Sequence, residues 1–243
     1  MELALVSPNQ NEAIHTFGRW VAACLVTMLL SIPAAQAVSV ELIQYQGRRV
    51  LLVRDEPASA DFPRGRAIAE GDAARFERVL RQSQPVSEVL LDSRGGLVIE
   101  GLAMGRAIRR AGLSTRIPKG ARCASSCADI FMGGIARRVD EGGRYGIHMA
   151  TSVSSDEAVD RTLARILHAY GTTPGQPDRE AIKAVIQRIE QSAAREAANW
   201  GAYVLEMGGS PRIVDLGTKS KASEMNYLSR PEMIDLNVIN VDN

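Results

Sequence analysis

Three groups of residues in this chain of 243 residues have types and spacing suited to acyl-transfer chemistry. The first is Ser126, in the small-residue turn Arg122-Cys123-Ala124-Ser125-Ser126 that feeds the apolar run Cys127 to Met132. A hydroxyl at a turn leading into a helix is exposed for attack on a carbonyl, and the N–H of the next residue, Cys127, becomes a donor for the oxyanion that forms. Ser125 competes with Ser126 for this position. Ser126-Cys127-Ala128-Asp129 also fits the S-x-x-acid pattern of a helix start, in which Ser126 would be only a cap. The second group is His148, within Tyr145-Gly146-Ile147-His148-Met149; imidazole is the side chain suited to accept a serine proton near neutral pH. The third is Gly95-Gly96, directly after a strand-like run, where successive backbone N–H groups and a helix dipole favour negative charge and form half of an oxyanion hole. His168 has no Cys or carboxylate at ligand spacing, so neither a metal site nor a cofactor is expected.

These residues need a frame to hold them. Val38 to Asp55 alternates and breaks at Gln46-Gly47, which predicts a β-hairpin. Ala73 to Gln82 has the apolar period of a helix, Val86 to Leu91 reads as a buried strand, and Leu97 to Ala111 is helical up to Gly112. A second unit repeats this order: a strand over Leu113–Ile117, the serine turn, and a helix over Cys127–Met132. Val139 and Tyr145–Met149 add strand pieces. Such alternation predicts an α/β fold with right-handed crossovers. Farther on, Ser155–Tyr170 and Arg179–Met207 read as two helices, the longer one keeping Ile182, Val185, Ile186, Ile189, Trp200 and Val204 on one face, either against the core or against another subunit. A short helix near Arg230–Leu236 and a strand at Val238–Ile239 close the chain.

The N-terminus reads differently. Trp20 to Ile32 is a 13-residue run without charge, preceded by Arg19 and followed by Ala35-Gln36-Ala37. That is shorter than the ~20 residues a bilayer span needs, and it has the order of a signal peptide, with cleavage expected after Ala37. Residues 38–243 are then a single exported domain, periplasmic or secreted, and a membrane enters only if the segment stays uncleaved as an anchor. Cys123 and Cys127 are the two cysteines beyond it. Four residues apart, they are bridgeable if Cys123 lies in the turn, and export favours the disulfide over two free thiols or a redox pair. With 29 basic against 28 acidic residues, the chain lacks the basic excess of a protein that works by neutralising phosphates, and no nucleic-acid partner is expected.

Leu91-Asp92-Ser93-Arg94-Gly95-Gly96, then Cys123 through Gly134, then Arg144-Tyr145-Gly146-Ile147-His148 together resemble the Clp-protease-like branch of the Clp/crotonase superfamily, especially its exported bacterial members. The resemblance runs from about Gly71 to Asn240. It implies a superhelix of repeated β-β-α turns with a helical arm at about 155–207, Ser126 as nucleophile, His148 as base, and oxyanion N–H groups from Gly96, helped by Gly95, and from Cys127. It also implies intersubunit contacts through the helix from Arg179 to Met207. In one respect the chain departs from the pattern: aligning Tyr227-Leu228-Ser229-Arg230-Pro231-Glu232 places Met225 where the third catalytic residue, an acid, is expected. Glu224 and Asn226 flank that position but, if the segment is a strand, point to the opposite face from Met225, and Asp129 is close in sequence to the nucleophile.

The reading that results is an exported serine hydrolase, a peptidase acting on a peptide or protein through a Ser-His dyad or a triad with a displaced acid. The alternative is a catalytically weak relative of the same fold that works as a binding or assembly protein. A crotonase-type acyl-CoA enzyme would need a cytoplasmic thioester pool, and no nucleotide-binding G-x-x-x-x-G-K-[ST] occurs.

Overall fold

The computed structural model describes residues 38–60, 62–63, 65–149, 151, 156–169 and 179–241. The expected export segment, residues 1–37, lies outside them. β1 (Val38–Tyr45) and β2 (Arg48–Asp55) form the predicted antiparallel hairpin, with Tyr45 opposite Arg48. Gln46 and Gly47 between them both have positive φ, 50° and 76°, the two-residue turn that matches the twist of the flanking strands. After α1 (Asp72–Ser83) come β3 (Glu88–Asp92), α2 (Val98–Arg110), β4 (Ser114–Ile117), β5 (Arg122–Ala124), α3 (Ser126–Met132), β6 (Arg137–Val139) and β7 (Arg144–Ile147).

The strands divide between two sheets. The larger runs β1-β2-β3-β4-β6, parallel from β2 onward. In the smaller, β5 and β7 are parallel and a short antiparallel strand, β8 (Asn226–Tyr227), completes the order β5-β7-β8. The chain therefore places β4 in the large sheet, β5 in the small one and then runs through α3, and repeats this with β6 and β7: the β-β-α turn of the expected superhelix. Burial explains the sequence pattern, because Val89, Leu90 and Leu91 of the central strand β3 are all buried and so form a continuous apolar run rather than an alternating one.

Three expectations need correction. Arg122–Ala124, expected as part of a turn, is a strand, tied to β7 and bridged to β3 through Ser93 and Cys123. A helix not anticipated, α6 (Arg212–Lys219), follows Pro211 and buries Ile213 and Gly217. Val238–Ile239 is not a strand: both N–H groups turn back to the Met233 carbonyl at the end of α7 (Arg230–Asp235), and the Val238 carbonyl accepts from the buried Arg137 guanidinium, 2.8 Å away.

The two long helices are α4 (Asp156–Ala169) and α5 (Arg179–Glu206). The single face expected for α5 is divided in function. Its C-terminal end docks on the core through Trp200, Tyr203 and Val204, whereas Ile186 and Ile189 farther out are about half exposed, as are Val159, Leu163 and Leu167 of α4. Among the described residues no helix is long and apolar enough to cross a membrane.

Candidate active site

β5 ends at Ala124 and α3 begins at Ser126, so Ser125 alone makes the turn between them. It has φ 55° and ψ −132°, a conformation that L-residues seldom adopt. This sharp junction lifts the Ser125 side chain out of the helix, as at other strand-to-helix nucleophile turns. Its Oγ lies 2.8 Å from Nε2 of His148, just past the end of β7.

Ser126, the expected nucleophile, is not the serine that meets His148. As the first residue of α3 it turns inward, is 1% exposed, and packs against α2, where any side chain on Gly101 would run into its Cβ and carbonyl. Its Oγ has no hydrogen-bond partner among the described residues. The S-x-x-acid pattern that suggested a cap is not used as one: the residue before the helix makes no side-chain cap bond, and Asp129 instead accepts from the Trp200 indole N–H at 2.8 Å. With the turn at Ser125, the donor following the nucleophile position is the N–H of Ser126, not that of Cys127. The first N–H groups of a helix have no intrahelical acceptor, so the Ser126 N–H is free of the helix ladder.

The two glycines expected at the oxyanion hole differ in what their N–H groups do. Gly95 (φ 100°) donates its N–H to Ser93 Oγ at 3.0 Å and is pressed against the nucleophile turn, so that a Cβ there would come within 2.5 Å of the Ala124 carbonyl and 2.7 Å of Ser125 Cβ. On either side of Gly96, the Gly95 carbonyl and the Leu97 N–H both pair with Ile68. Alternation along extended backbone then directs the Gly96 N–H to the opposite side. The N–H groups of Gly96 and Ser126 are therefore the backbone donors left outside these pairings beside Ser125.

His148 Nδ1 lies 2.8 Å from the carbonyl oxygen of Ala222, in the loop between α6 and β8. A carbonyl only accepts, so in the neutral imidazole this contact places the proton on Nδ1 and leaves Nε2 to accept from Ser125. The segment aligned with the family's acid does lie beside the histidine strand, with Asn226 opposite Ile147 and Tyr227 opposite Gly146. Met225 itself packs on Gly146. None of the three carboxylate or amide substitutes reaches His148: Glu224 pairs with Lys221, Asn226 sits in β8, and Asp129 is buried beneath the serine turn. Burial pushes the Asp129 carboxyl up to about 7, and the Trp200 hydrogen bond offsets part of that rise. The Ala222 carbonyl carries no sequence signal, since every residue has one.

Cys123 and Cys127 form a disulfide across the turn, with Cα atoms 5.1 Å apart. Cys123 is in β5 and Cys127 in α3, so the bridge ties together the two elements that Ser125 joins. Among the described residues no group of three or more His, Cys, Asp or Glu side chains could hold a metal.

No family model and no curated protein matches the chain. Solved structures similar in fold include ClpP1 from Listeria monocytogenes, at 16% identity over 73% of this chain and 88% of that one, with a TM-score of 0.46. A membrane-bound stomatin-specific protease matches at 15% identity over 71% and 73%, with a TM-score of 0.43. A protein described as an enoyl-CoA hydratase, from Streptomyces coelicolor A3(2), matches at 14% over 85% and 66%, with a TM-score of 0.39. The likeness is one of fold; the roles of individual residues follow from the site itself.

Proposed function

We propose that the chain is an exported serine hydrolase of peptidase type, with Ser125 as nucleophile, His148 as general base, and the N–H groups of Gly96 and Ser126 as oxyanion donors. One observation carries the reading: Ser125 Oγ and His148 Nε2 are 2.8 Å apart while Nδ1 is engaged by a carbonyl. In that arrangement Nε2 accepts the Ser125 proton as Oγ attacks an acyl carbon, and the resulting imidazolium returns the proton to the leaving amine. Ala222 keeps the ring and its tautomer fixed but supplies no negative charge. Losing the orienting acid from a triad costs ~10⁴ in turnover, largely through the wrong tautomer, so a carbonyl that preserves the tautomer limits the loss.

The order of residues 1–37 supports export, and the two-helix arm supports self-association. Val159, Leu163, Leu167, Ile186 and Ile189 leave apolar surface on α4 and α5 that a second copy would cover, through the helix Arg179–Met207. Labelling of the folded protein with a fluorophosphonate probe tests the chemistry. Wild type and Ser126→Ala are expected to label, and Ser125→Ala and His148→Ala are not; labelling that survives Ser125→Ala overturns the nucleophile. Folded wild type that never labels supports instead the binding role, which the absence of a carboxylate at His148 among the described residues favours.

A further inference from the structure

We infer that Trp200 is a positioning residue for the Ser125–His148 pair, its one indole holding both the helix that starts at the serine turn, through Asp129, and the helix that leads into Ala222, through Gly217. The inference rests on the hydrolase reading for its consequence, but its structural content is independent of it. On one side, the indole N–H donates to Asp129 Oδ1 at 2.8 Å, and Asp129 lies one helical turn beyond Ser125 on α3. The neighbouring turn of α5 reinforces that attachment, because the Tyr203 hydroxyl donates to the Asp129 carbonyl at 2.6 Å. On the other side, the six-membered ring of Trp200 lies so close to Gly217 of α6 that a Cβ there would collide with Cη2 and Cζ3. From Gly217 the chain reaches Ala222 in five residues, and the path is constrained: Ser220 N–H donates to the Gly217 carbonyl at 3.2 Å, Ser220 Oγ to the Leu216 carbonyl at 3.2 Å, and the Ser220 carbonyl accepts from Met149 N–H, the residue after His148.

The two backbones are joined directly, β5 pairing with β7 and the Ser125 N–H donating to the Gly146 carbonyl at 3.0 Å, but the two side chains are set separately. Ser125 is set by β5, α3 and the disulfide; the ring of His148 is set by a loop outside the β-β-α repeat. Trp200 touches both of these supports, and it does so from the end of the helical arm. A 1 Å error between nucleophile and base can cost about 10²-fold in rate, which is the scale on which such a strut acts.

Asp129 makes the contact sensitive to pH. Among the described residues its carboxyl has no cation to pair with: the ionisable groups near it are the Tyr145 phenol of β7 and the Tyr203 phenol of α5, with Arg106 of α2 stacked on the Tyr203 ring, Arg137 of β6 beside Tyr145, and the Asp215–Lys219 pair of α6 closed on itself. Loss of its proton near pH 7 turns the indole hydrogen bond into a charge-assisted one, which tightens the α5–α3 contact.

The test uses the full chain with Trp20→Phe, so that Trp200 is the remaining tryptophan. Its emission is expected to titrate with a midpoint at about 7, and Asp129→Asn, which keeps an acceptor oxygen, to abolish that titration. Trp200→Phe retains the ring but loses the N–H; it is expected to speed hydrogen exchange of residues 217–225 and to slow fluorophosphonate labelling by about ten-fold or more. Asp129→Asn is expected to retain slow exchange there. Wild-type exchange at 217–225 in Trp200→Phe, or an emission titration that survives Asp129→Asn, overturns the inference. Should Trp200→Phe fail to fold, Gly217→Ala takes its place, since it displaces the indole without removing a polar group. If wild type folds but does not label, the hydrolase reading falls, and exchange and emission still decide whether Trp200 holds the two segments.

Discussion

The two halves of the proposed site are built in opposite ways. Around Ser125 the chain is fixed on every side: Gly95 and Gly101 let β3 and α2 approach until no Cβ fits, the Cys123–Cys127 disulfide spans the turn, and every residue of α3 is buried. Around His148 the support is a surface loop in which Lys221, Ser223 and Glu224 are exposed and the decisive contact is one backbone carbonyl. A nucleophile turn needs strain, and strain persists only where packing over-determines the backbone. A base needs only a tautomer and a direction. The rigid half therefore resists change and fails abruptly when changed, whereas the histidine half tolerates substitution and loses function by degrees.

That contrast can be broken most severely at Gly95. Gly95→Ala combines a backbone at φ 100°, costing ~1–3 kcal/mol for an L-residue, with a collision against the Ala124 carbonyl. Complete loss of probe labelling is expected, with a lowered Tm. Next is the disulfide. Cys123→Ser with Cys127→Ser removes a short closed loop worth about 2 kcal/mol, so calorimetry is expected to show Tm lower by roughly 4–8 °C, with labelling reduced because the turn is freed.

Asp129 gives a pH-dependent version. Its folded pKa is raised from 3.8 to about 7, so its protonated form favours the folded state; the stability it contributes is fully present below about pH 4 and is lost as pH rises through about 7. Denaturant titrations at several pH values are expected to show that fall in wild type and to show it reduced in Asp129→Asn. The smallest effect belongs to the histidine loop. Lys221 and Glu224 form an ion pair at 2.9 Å, but their side chains are 77% and 63% exposed, so Lys221→Ala is expected to change stability by less than about 1 kcal/mol and to leave labelling nearly unchanged. A large loss there would show the loop to be as over-determined as the serine turn.

Much of the frame could be read from residue types. The hairpin at Gln46-Gly47, the strand Val86–Leu91 before the paired glycines, and the helices on either side of the serine turn follow from periodicity and turn chemistry, which act locally. The choice between Ser125 and Ser126 does not. Two adjacent serines are chemically equal, and no local pattern marks Ser125 as the one that meets His148; the capping pattern through Asp129 is not used, because Asp129 accepts from Trp200, 71 residues away. The strand at Arg122–Ala124 is likewise a product of partners distant in sequence, β7 and Ser93. Trp200 was readable as a member of an apolar face, but its N–H contact and its place on Gly217 depend on α6, a helix of only eight residues whose local signal is weak.

The carbonyl that orients His148 belongs to the peptide bond and not to a side chain. No codon at position 222 specifies it, and almost none can delete it. A saturation scan of single substitutions would score Ala222 by what its side chain does to the loop and would pass over the atom that sets the tautomer. In this molecule the third member of the constellation is inherited through the shape of a segment, so Ala222 could drift through many residue types with the histidine's partner never lost. Insertions and deletions between Ser220 and Met225 are the changes to which that partner is exposed.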